Sequence, residues 1–447
     1  MINIYDTLVR YDPEQREVVP QLAESLEPND DFTVWTLTLR PGTTFSDGSP
    51  FDAEAVVGSF DRYANSESAP DKTLWNANVQ QTDVMDDTTV EIVLAEPWPG
   101  FVNLLASGPG MIVGEGSGEG DGFTPIGAGP FTVESVKPGE ETVLAANPNY
   151  WDGEPYLDRL RIVYYENPIT SAEALESGDV QAIYNRDPNM VEELLAAGYP
   201  GFRQMVAASN VALINAADGH PGADVRVRQA MQLAIDPQIL VDRAFQGKGL
   251  ASTELFPEYS RWHGDEGKTE HDPTKAAELL EEAKSEGFDG KIEYFDGADP
   301  QSRDIALAVE AQLEAVGFEV NVTYLRAAAD QITTANSGSY DVMGWGHNYR
   351  EFDPYPKMFA TIHSQGNQTY GAHTSSEMDA AIEAFKAAST EEEQQQAMNE
   401  VSALYNEQVP FLNWGPFGEH YFWAQNVYDV QGAANSMVIF GKAWIQQ

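Results

Sequence analysis

The sequence predicts an α/β protein with more than one lobe, and three observations lead to this fold class. The chain has 447 residues, which is enough for two to three domains of about 150 residues each. Segments in which apolar residues alternate, as in strands, are interspersed with segments of helical spacing, often with a glycine between them. No sustained repeat is present. Apolar residues make up 42% of the chain, which excludes disorder of the whole protein.

The first elements are a strand and a helix. The strand is predicted where apolar residues alternate with threonines, at Trp35, Leu37 and Leu39. Residues 41–50 contain the glycines, prolines and aspartate of a turn. Asp52 then has the position of a helix N-cap. The buried face of this helix is predicted from i, i+4 and i+7 spacing, at Val56, Phe60 and Tyr63.

Residues 107–130 are rich in glycine and acidic side chains. This composition predicts an acidic surface loop and a crossing of the chain between lobes. The segment contains neither G-x-G-x-x-G nor G-x-x-x-x-G-K-[ST], the patterns that cradle phosphates. A nucleotide site here is therefore unsupported.

Later elements follow the same logic. A helix at 172–176 ends at Gly178, and a strand follows it through Tyr184. Aspartates 224 and 272 are predicted to begin helices, the second of which runs to Gly287. A further helix and strand surround Gly317, with apolar positions Ile305, Val309, Leu313 and Val316 before it and Phe318, Val320, Val322 and Tyr324 after it. Two last helices carry Met378, Ala381, Ile382 and Phe385, then Met398, Val401 and Tyr405.

The charge of the chain is strongly negative. It has 71 acidic and 25 basic residues, a net charge of −46. Such a surface repels phosphates, so no nucleic-acid partner is expected. Two interpretations of the acidity remain open. One is adaptation to high salt, where charge repulsion is screened over about 3 Å at 1 M. The other is an ordinary acidic secreted surface.

Cysteine is absent, which excludes disulfides, thiolate metal ligands and a cysteine nucleophile. No run of 18 apolar residues predicts a membrane-spanning helix. The segment 1–6 has neither a basic nor an apolar region of an export signal.

The sequence contains no established catalytic motif among H-E-x-x-H, G-x-S-x-G and S-x-x-K with K-T-G. Imidazole and carboxylate side chains do cluster at His263, Asp265, Glu266, His271 and Asp272. They are interpreted either as a solvated loop or as ligands of a divalent ion. Pairs of carboxylates for acid–base work arise by chance among so many acids and decide nothing.

Two aromatic segments are the most informative. Residues 345–355 contain two tyrosines, a tryptophan and a phenylalanine, and residues 411–417 contain a second cluster around Trp414. Both contain glycine and proline, which predicts loops. Aromatic rings on loops suit a cleft for a small amphipathic solute, although core packing is the alternative.

Several segments together resemble the family 5 extracellular solute-binding proteins of ABC importers. They occur in the family's order along nearly the whole chain: NIYDTL (3–8), VPQLAES (19–25), LTLRPGTTFSDGSPF (37–51), IGAGPF (126–131), NPNYWDG (147–153), DVRVRQA (224–230), and GW (344–345) with DP (353–354).

The resemblance implies a periplasmic-binding-protein-like fold, in which two α/β lobes close around a solute and one lobe carries an extra subdomain. We expect residues 1–27, 121–215 and 418–447 in lobe one, 28–120 in its extra subdomain, and 216–417 in lobe two. The hinge crossings are expected near residues 215 and 418. The resemblance begins abruptly at residue 1, where family members have a further first strand, an export signal and a lipid-anchor cysteine. We expect any such segments to lie upstream.

The ligand-binding residues implied are Trp345, His347, Asn348, Tyr349, Asp353 and Trp414. Peptide-binding relatives have an aspartate at the position of Asn348 that holds the peptide's ammonium group. The amide is neutral, and it favours a neutral solute group unless Asp353, Glu351 or another acid takes over that role. Tyr349 has the spacing of a tyrosine in nickel-chelate binders.

The resemblance therefore implies a non-enzymatic solute receptor for a peptide or peptide-like compound. Its partners are the solute and an ABC permease, it acts as a monomer at the extracellular face of the membrane or in the periplasm, and it needs no cofactor or metal. An oligosaccharide or a metal chelate is the alternative solute. An acidic hydrolase and a chaperone-like surface protein are the alternatives of other classes.

Overall fold

The chain folds into two compact units in a computed structural model, which describes residues 1–118, 120–165, 167–264 and 267–446. The first unit contains Met1–Arg186, Met190–Gln204 and Glu419–Gln447. The second contains Asp187–Asn189 and Met205–Gly418. Helices and sheets occur in both, so the predicted α/β class is confirmed.

Regular elements cover most of the chain. The helices are α1 Ile2–Tyr5, α2 Ala53–Asn65, α3 Lys72–Asn78, α4 Phe101–Leu104, α5 Pro168–Ser177, α6 Pro188–Ala196, α7 Val225–Ala234, α8 Pro237–Phe245, α9 Pro273–Ser285, α10 Pro300–Ala315, α11 Ala328–Ser337, α12 Tyr355–Ile362, α13 Ser376–Ala387 and α14 Glu391–Gln408. The strands are β1 Val9–Asp12, β2 Glu17–Pro20, β3 Ala23–Pro28, β4 Val34–Leu39, β5 Val79–Asp86, β6 Thr89–Leu94, β7 Phe131–Lys137, β8 Glu141–Ala146, β9 Arg159–Val163, β10 Ala182–Asn185, β11 Gly201–Ile214, β12 Lys291–Gly297, β13 Glu319–Leu325, β14 Val342–Trp345, β15 Tyr349–Arg350, β16 Phe411–Trp423, β17 Val427–Tyr428, β18 Gln431–Gly432, β19 Val438–Ile439 and β20 Trp444–Ile445. Within the described ranges, no helix has the length and apolar character needed to span a bilayer.

Aspartates begin many of the helices, as the sequence predicts for three of them. The carboxylate of Asp52 accepts a hydrogen bond from the Ala55 amide at 3.0 Å and begins α2. The same arrangement begins α7, α8, α9 and α10, at Asp224, Asp236, Asp272 and Asp299. An acid at this position satisfies free amides and interacts favourably with the helix dipole. Part of the acidity is therefore structural.

The first unit contains an antiparallel sheet in the order β3-β4-β6-β5 and a second sheet in the order β7-β8-β9. The predicted strand at Trp35, Leu37 and Leu39 is β4, and all three side chains are buried. Val56 and Phe60 of α2 are buried as their spacing predicts. The expectation that residues 28–120 form an extra subdomain stays a prediction.

A buried carboxylate connects three parts of the first unit. Asp6 is fully buried and accepts hydrogen bonds from the Thr7 amide at 2.8 Å and from Gln21 Nε2 at 3.0 Å. The hydroxyl of Tyr150 and the indole N–H of Trp151 donate to its other oxygen, at 2.9 and 3.0 Å. The residue after α1 is thereby joined to the segment before β3 and to the segment after β8.

The glycine-rich segment 107–130 does not cross between the units. All of it belongs to the first unit, so the predicted crossing there is wrong. Its end is packed: the Gly129 amide donates to the Ile4 carbonyl at 2.9 Å, and a Cβ at Gly129 would lie 2.6 Å from the same carbonyl. Gly127 and Gly129 are therefore required by close approach to α1 and do not indicate a linker.

The second unit contains a doubly wound sheet with helices on both faces. The order is β16-β11-β14-β12-β13, and β12 is parallel to both β13 and β14. Helix α10 packs on the face that carries Ile292 and Tyr294 of β12. Helix α11 packs on the opposite face, where Met343 of β14 lies. The chain therefore goes from β12 to one neighbour, β13, and returns to the other, β14.

One unit boundary lies away from the expected hinge crossings. Apart from the short segment Asp187–Asn189, the chain passes between units at residues 204–205 and at 418–419, the latter at the position expected near residue 418. The other crossing was expected near residue 215, where β11 ends and polar turn residues begin. The observed boundary lies inside β11, where no proline or glycine marks it. The crossing at 204–205 therefore has no local composition signal, whereas the one at 418–419, inside β16, directly follows Gly418.

The charge leads to a prediction about salt. Because the net charge is −46, repulsion among exposed carboxylates should lower stability in dilute buffer. We expect the melting temperature to rise by several degrees between low salt and about 1 M NaCl, measured by differential scanning calorimetry. Sucrose at equal osmolality separates screening from solute exclusion. A melting temperature that stays constant in NaCl would contradict the prediction.

Candidate functional site

The carboxyl ends of β12 and β14 form a topological switch point. The connection that leaves β12 carries α10 on one face, and the connection into β14 carries α11 on the other. In open α/β sheets, ligands bind outside the carboxyl ends of strands at this point because the diverging connections leave a crevice. The segment after β14 is the predicted aromatic segment 345–355.

Trp345 is the last residue of β14 and is partly exposed. Its ring packs beside Leu213 and Met343 on the α11 face of the sheet. The ring of Tyr370 meets it edge to face, with centroids 5.4 Å apart. Trp345 therefore combines a fixed orientation with surface that a solute could cover.

The chain reverses after Trp345. The amides of His347 and Asn348 both donate to the Ala208 carbonyl, at 2.9 and 3.2 Å. Asn348 has φ 63°, a left-handed conformation that asparagine tolerates better than most residues. Among the described residues its Oδ1 atom is buried and has no hydrogen-bond donor. A solute N–H or O–H group could satisfy that oxygen.

His347 is buried between aromatic rings. Its ring stacks on Tyr349 at 6.0 Å and meets Phe411 at 4.5 Å. Burial, and to a smaller extent the positive charge of Lys357, lower the pKa of His347 to about 3, so the ring is neutral at physiological pH. Its Nε2 atom has no partner within the described part of the chain.

Tyr349 and Trp414 are core residues of the second unit. The Tyr349 hydroxyl lies 2.7 Å from Thr361 Oγ1. The Trp414 indole donates to Asn210 Oδ1 at 2.7 Å, and its ring belongs to the same core as α7 and α10. The predicted loop is confirmed for most of 345–355, where residues 346–348 and 351–354 lie outside helices and strands, but it is wrong for 411–417, which belong to β16. Solute contact by these two residues stays a prediction.

Asp353 lies at the start of α12. Its Oδ1 atom accepts the Tyr355 amide at 3.1 Å, and only 8% of the residue is exposed. The neighbouring Glu351 carbonyl accepts the Trp262 indole N–H at 2.8 Å. The structure thus shows a structural role for Asp353, and its binding role stays a prediction.

The structure describes only some of the candidate metal ligands. Asp265 and Glu266 lie outside the described residues. His263 Nδ1 lies 3.1 Å from the Phe256 carbonyl oxygen. Across the described ranges, no three histidine or acidic side chains form a group that could hold a metal ion.

Sequence reasoning missed Asp296, which is at the carboxyl end of β12. Its carboxylate accepts hydrogen bonds from the Tyr294 hydroxyl at 2.5 Å and from the Gly297 amide at 2.7 Å. Burial raises the pKa of Asp296 to about 6. A polar residue that ends the buried alternation Ile292-Tyr294 was the available signal.

Comparisons with known proteins agree with the resemblance. The family model for the bacterial extracellular solute-binding proteins, family 5 Middle, matches residues 17–369. The glutathione-binding protein GsiB of Salmonella paratyphi A is 28% identical over 354 residues, which are 74% of this chain and 67% of that protein. The nickel-binding periplasmic protein of Escherichia coli K12 is 26% identical over 345 residues, 71% of this chain and 65% of that protein.

Solved structures extend the likeness to the whole fold. The periplasmic binding protein AgaA of A. tumefaciens R10, in complex with agropinic acid, has a TM-score of 0.86 at 20% identity, over 100% of this chain and 93% of that one. DppA of Helicobacter pylori, in complex with the peptide STSA, has a TM-score of 0.84 at 21% identity with the same coverage. These matches confirm the periplasmic-binding-protein-like fold.

Proposed function

The chain belongs to the family 5 bacterial extracellular solute-binding proteins, the solute receptors of ABC importers, and we propose that its solute is a peptide or peptide-like compound. The family consists of binding proteins and not of enzymes. Both a glutathione-binding and a peptide-binding protein are among the similar proteins, which supports a peptide-like solute.

The observation that carries this proposal is the segment at the end of β14. Trp345 offers a flat, partly exposed ring, and the Asn348 oxygen and the His347 nitrogen are polar atoms without partners among the described residues. Binding sites for small solutes combine apolar surface with a few orienting polar groups. A peptide supplies both amide groups and apolar side chains, so it matches this combination.

We further propose that the protein acts as a monomer outside the cytoplasm and delivers its solute to a membrane permease. The support is the family and the periplasmic location named for a relative. Light scattering coupled to gel filtration measures the molar mass and so tests whether the protein is a monomer. Co-purification with the permease in detergent tests whether the two proteins bind. The predicted closure of two lobes around the solute stays a prediction.

Replacing Trp345 with alanine is expected to weaken peptide binding. If the ring covers the solute, its loss should cost about 1–3 kcal/mol of affinity. Isothermal titration calorimetry of both proteins, with a synthetic peptide that the wild type binds, measures this difference. Trp444→Ala is the matched control, because Trp444 lies in the first unit and stacks on Tyr428. Equal affinity of Trp345→Ala and wild type, with the fold intact, would make Trp345 a packing residue only.

A further inference from the structure

Asp296 interrupts an apolar row. Ile292 and Tyr294 precede it on the same face of β12 and are buried in the core beneath α10. Asp296 is only 6% exposed although it carries a carboxylate. An apolar residue would continue this row at lower cost, since a buried carboxylate loses its hydration. The position therefore calls for an explanation beyond packing.

The carboxylate lies directly over β14. The register that pairs Phe295 with Met343 places Asp296 beside Gly344. A Cβ at Gly344 would be 2.5 Å from both carboxylate oxygens, so only glycine leaves room for this side chain. Gly344 and Trp345 are partly exposed, whereas Val342 and Met343 are buried. The carboxylate thus lies where β14 reaches the surface of the second unit.

Two hydrogen bonds stabilise the carboxylate of Asp296, but no cationic side chain does so among the described residues. No ion pair joins it to a cationic side chain within the described ranges. The negative charge of Asp299 raises the pKa of Asp296 further. Arg303, in α10, has other contacts: its guanidinium lies 4.5 Å above the ring of Tyr324, the β13 residue paired with Asp296, and donates to the Ala298 carbonyl at 2.8 Å.

We propose that Asp296 binds a cationic group of the solute at the switch point between β12 and β14. The inference rests on the proposed function and adds a charge preference to it. A bound ammonium or guanidinium group would supply the counter-charge that a buried carboxylate needs. Because the topology already places the ligand crevice at these strand ends, carboxylate and crevice coincide. Asp296 would then supply the negative charge that peptide-binding relatives have at the position of Asn348.

The test uses Asp296→Asn and three synthetic tripeptide pools. One pool has a free amino end and neutral side chains, the second has the same peptides with acetylated ends, and the third is acetylated and contains lysine. We expect wild type to prefer at least one of the two cationic pools over the neutral pool. In Asp296→Asn, the affinity for the preferred cationic pool should fall at least about tenfold, and the affinity for the neutral pool should not change. The pool whose affinity falls in Asp296→Asn shows whether the bound cationic group is the amino end or the lysine side chain.

Asp299→Asn is the matched control, since it removes a charge three residues away and asparagine also caps helices well. Gly344→Ala is the second variant, because it displaces the carboxylate and keeps its charge; it should reproduce the loss. Equal preference in Asp296→Asn and wild type overturns the assignment, as does a wild type without charge preference, and both leave the proposed function standing. A wild type that binds no pool overturns both.

Discussion

Replacing Asp6 with alanine is expected to lower the free energy of unfolding of the first unit by about 3–5 kcal/mol. The substitution leaves four donors without their acceptor: the Thr7 amide, Gln21 Nε2, the Tyr150 hydroxyl and the Trp151 indole. Each loses a hydrogen bond to a charged group in a site that water does not reach. The loss therefore exceeds that of a typical surface substitution.

Hydrogen exchange measured by mass spectrometry localises this effect. Amides of residues 2–28 and 144–153 should exchange faster in Asp6→Ala, while those of the second unit should not change. Asp31→Ala is the control, because Asp31 is exposed and accepts its hydrogen bonds from Thr33, two residues away in the same turn. Equal protection in Asp6→Ala and wild type would show that the hydrogen bonds of Asp6 do not stabilise the unit.

Replacing Arg228 with methionine is expected to destabilise the second unit by about 2–4 kcal/mol. Arg228 is 1% exposed and donates to the Gln408 carbonyl at the end of α14 and to the Gly222 carbonyl, both at 2.8 Å. Burial lowers the pKa of its guanidinium to about 10, so it remains charged at neutral pH. Methionine fills the space but leaves both carbonyls without a donor.

The control for Arg228 is Arg226→Met, two residues earlier in α7. Arg226 is partly exposed and forms ion pairs with Asp224 and Glu286 at the surface. Exposed ion pairs contribute little because water and salt screen them, so this variant should unfold close to wild type in urea. If Arg228→Met and Arg226→Met unfold at the same urea concentration, the prediction for Arg228 is wrong.

Local periodicity predicted much of the secondary structure. Val56 and Phe60 in α2, and Ile305, Val309 and Leu313 in α10, are buried at helical spacing. The segment 411–417 was misassigned as a loop because its glycine and proline were interpreted as loop residues. Gly344 is in a strand and makes room for Asp296, and a Cβ at Gly415 would lie 2.3 Å from the Leu250 carbonyl oxygen. Glycine there reflects close packing inside a sheet.

The site was harder to predict than the fold. Trp345 and Asn348 were found because they lie within a segment that resembles a family motif. Asp296 lies 49 positions before Trp345 in the sequence, and only the parallel pairing of β12 with β14 brings the two strand ends together. Strand order is a non-local property, and one sequence contains no direct signal for it.

Native mass spectrometry of the purified protein with the free-amino and acetylated tripeptide pools tests the central claim most directly. We expect a complex of one protein with one peptide, whose population falls in Trp345→Ala and stays unchanged in Trp444→Ala. Peptides should be released intact from the complex, as expected for a receptor. A wild-type protein that forms no peptide complex, or that releases cleaved peptides, would contradict the proposed function as a peptide receptor.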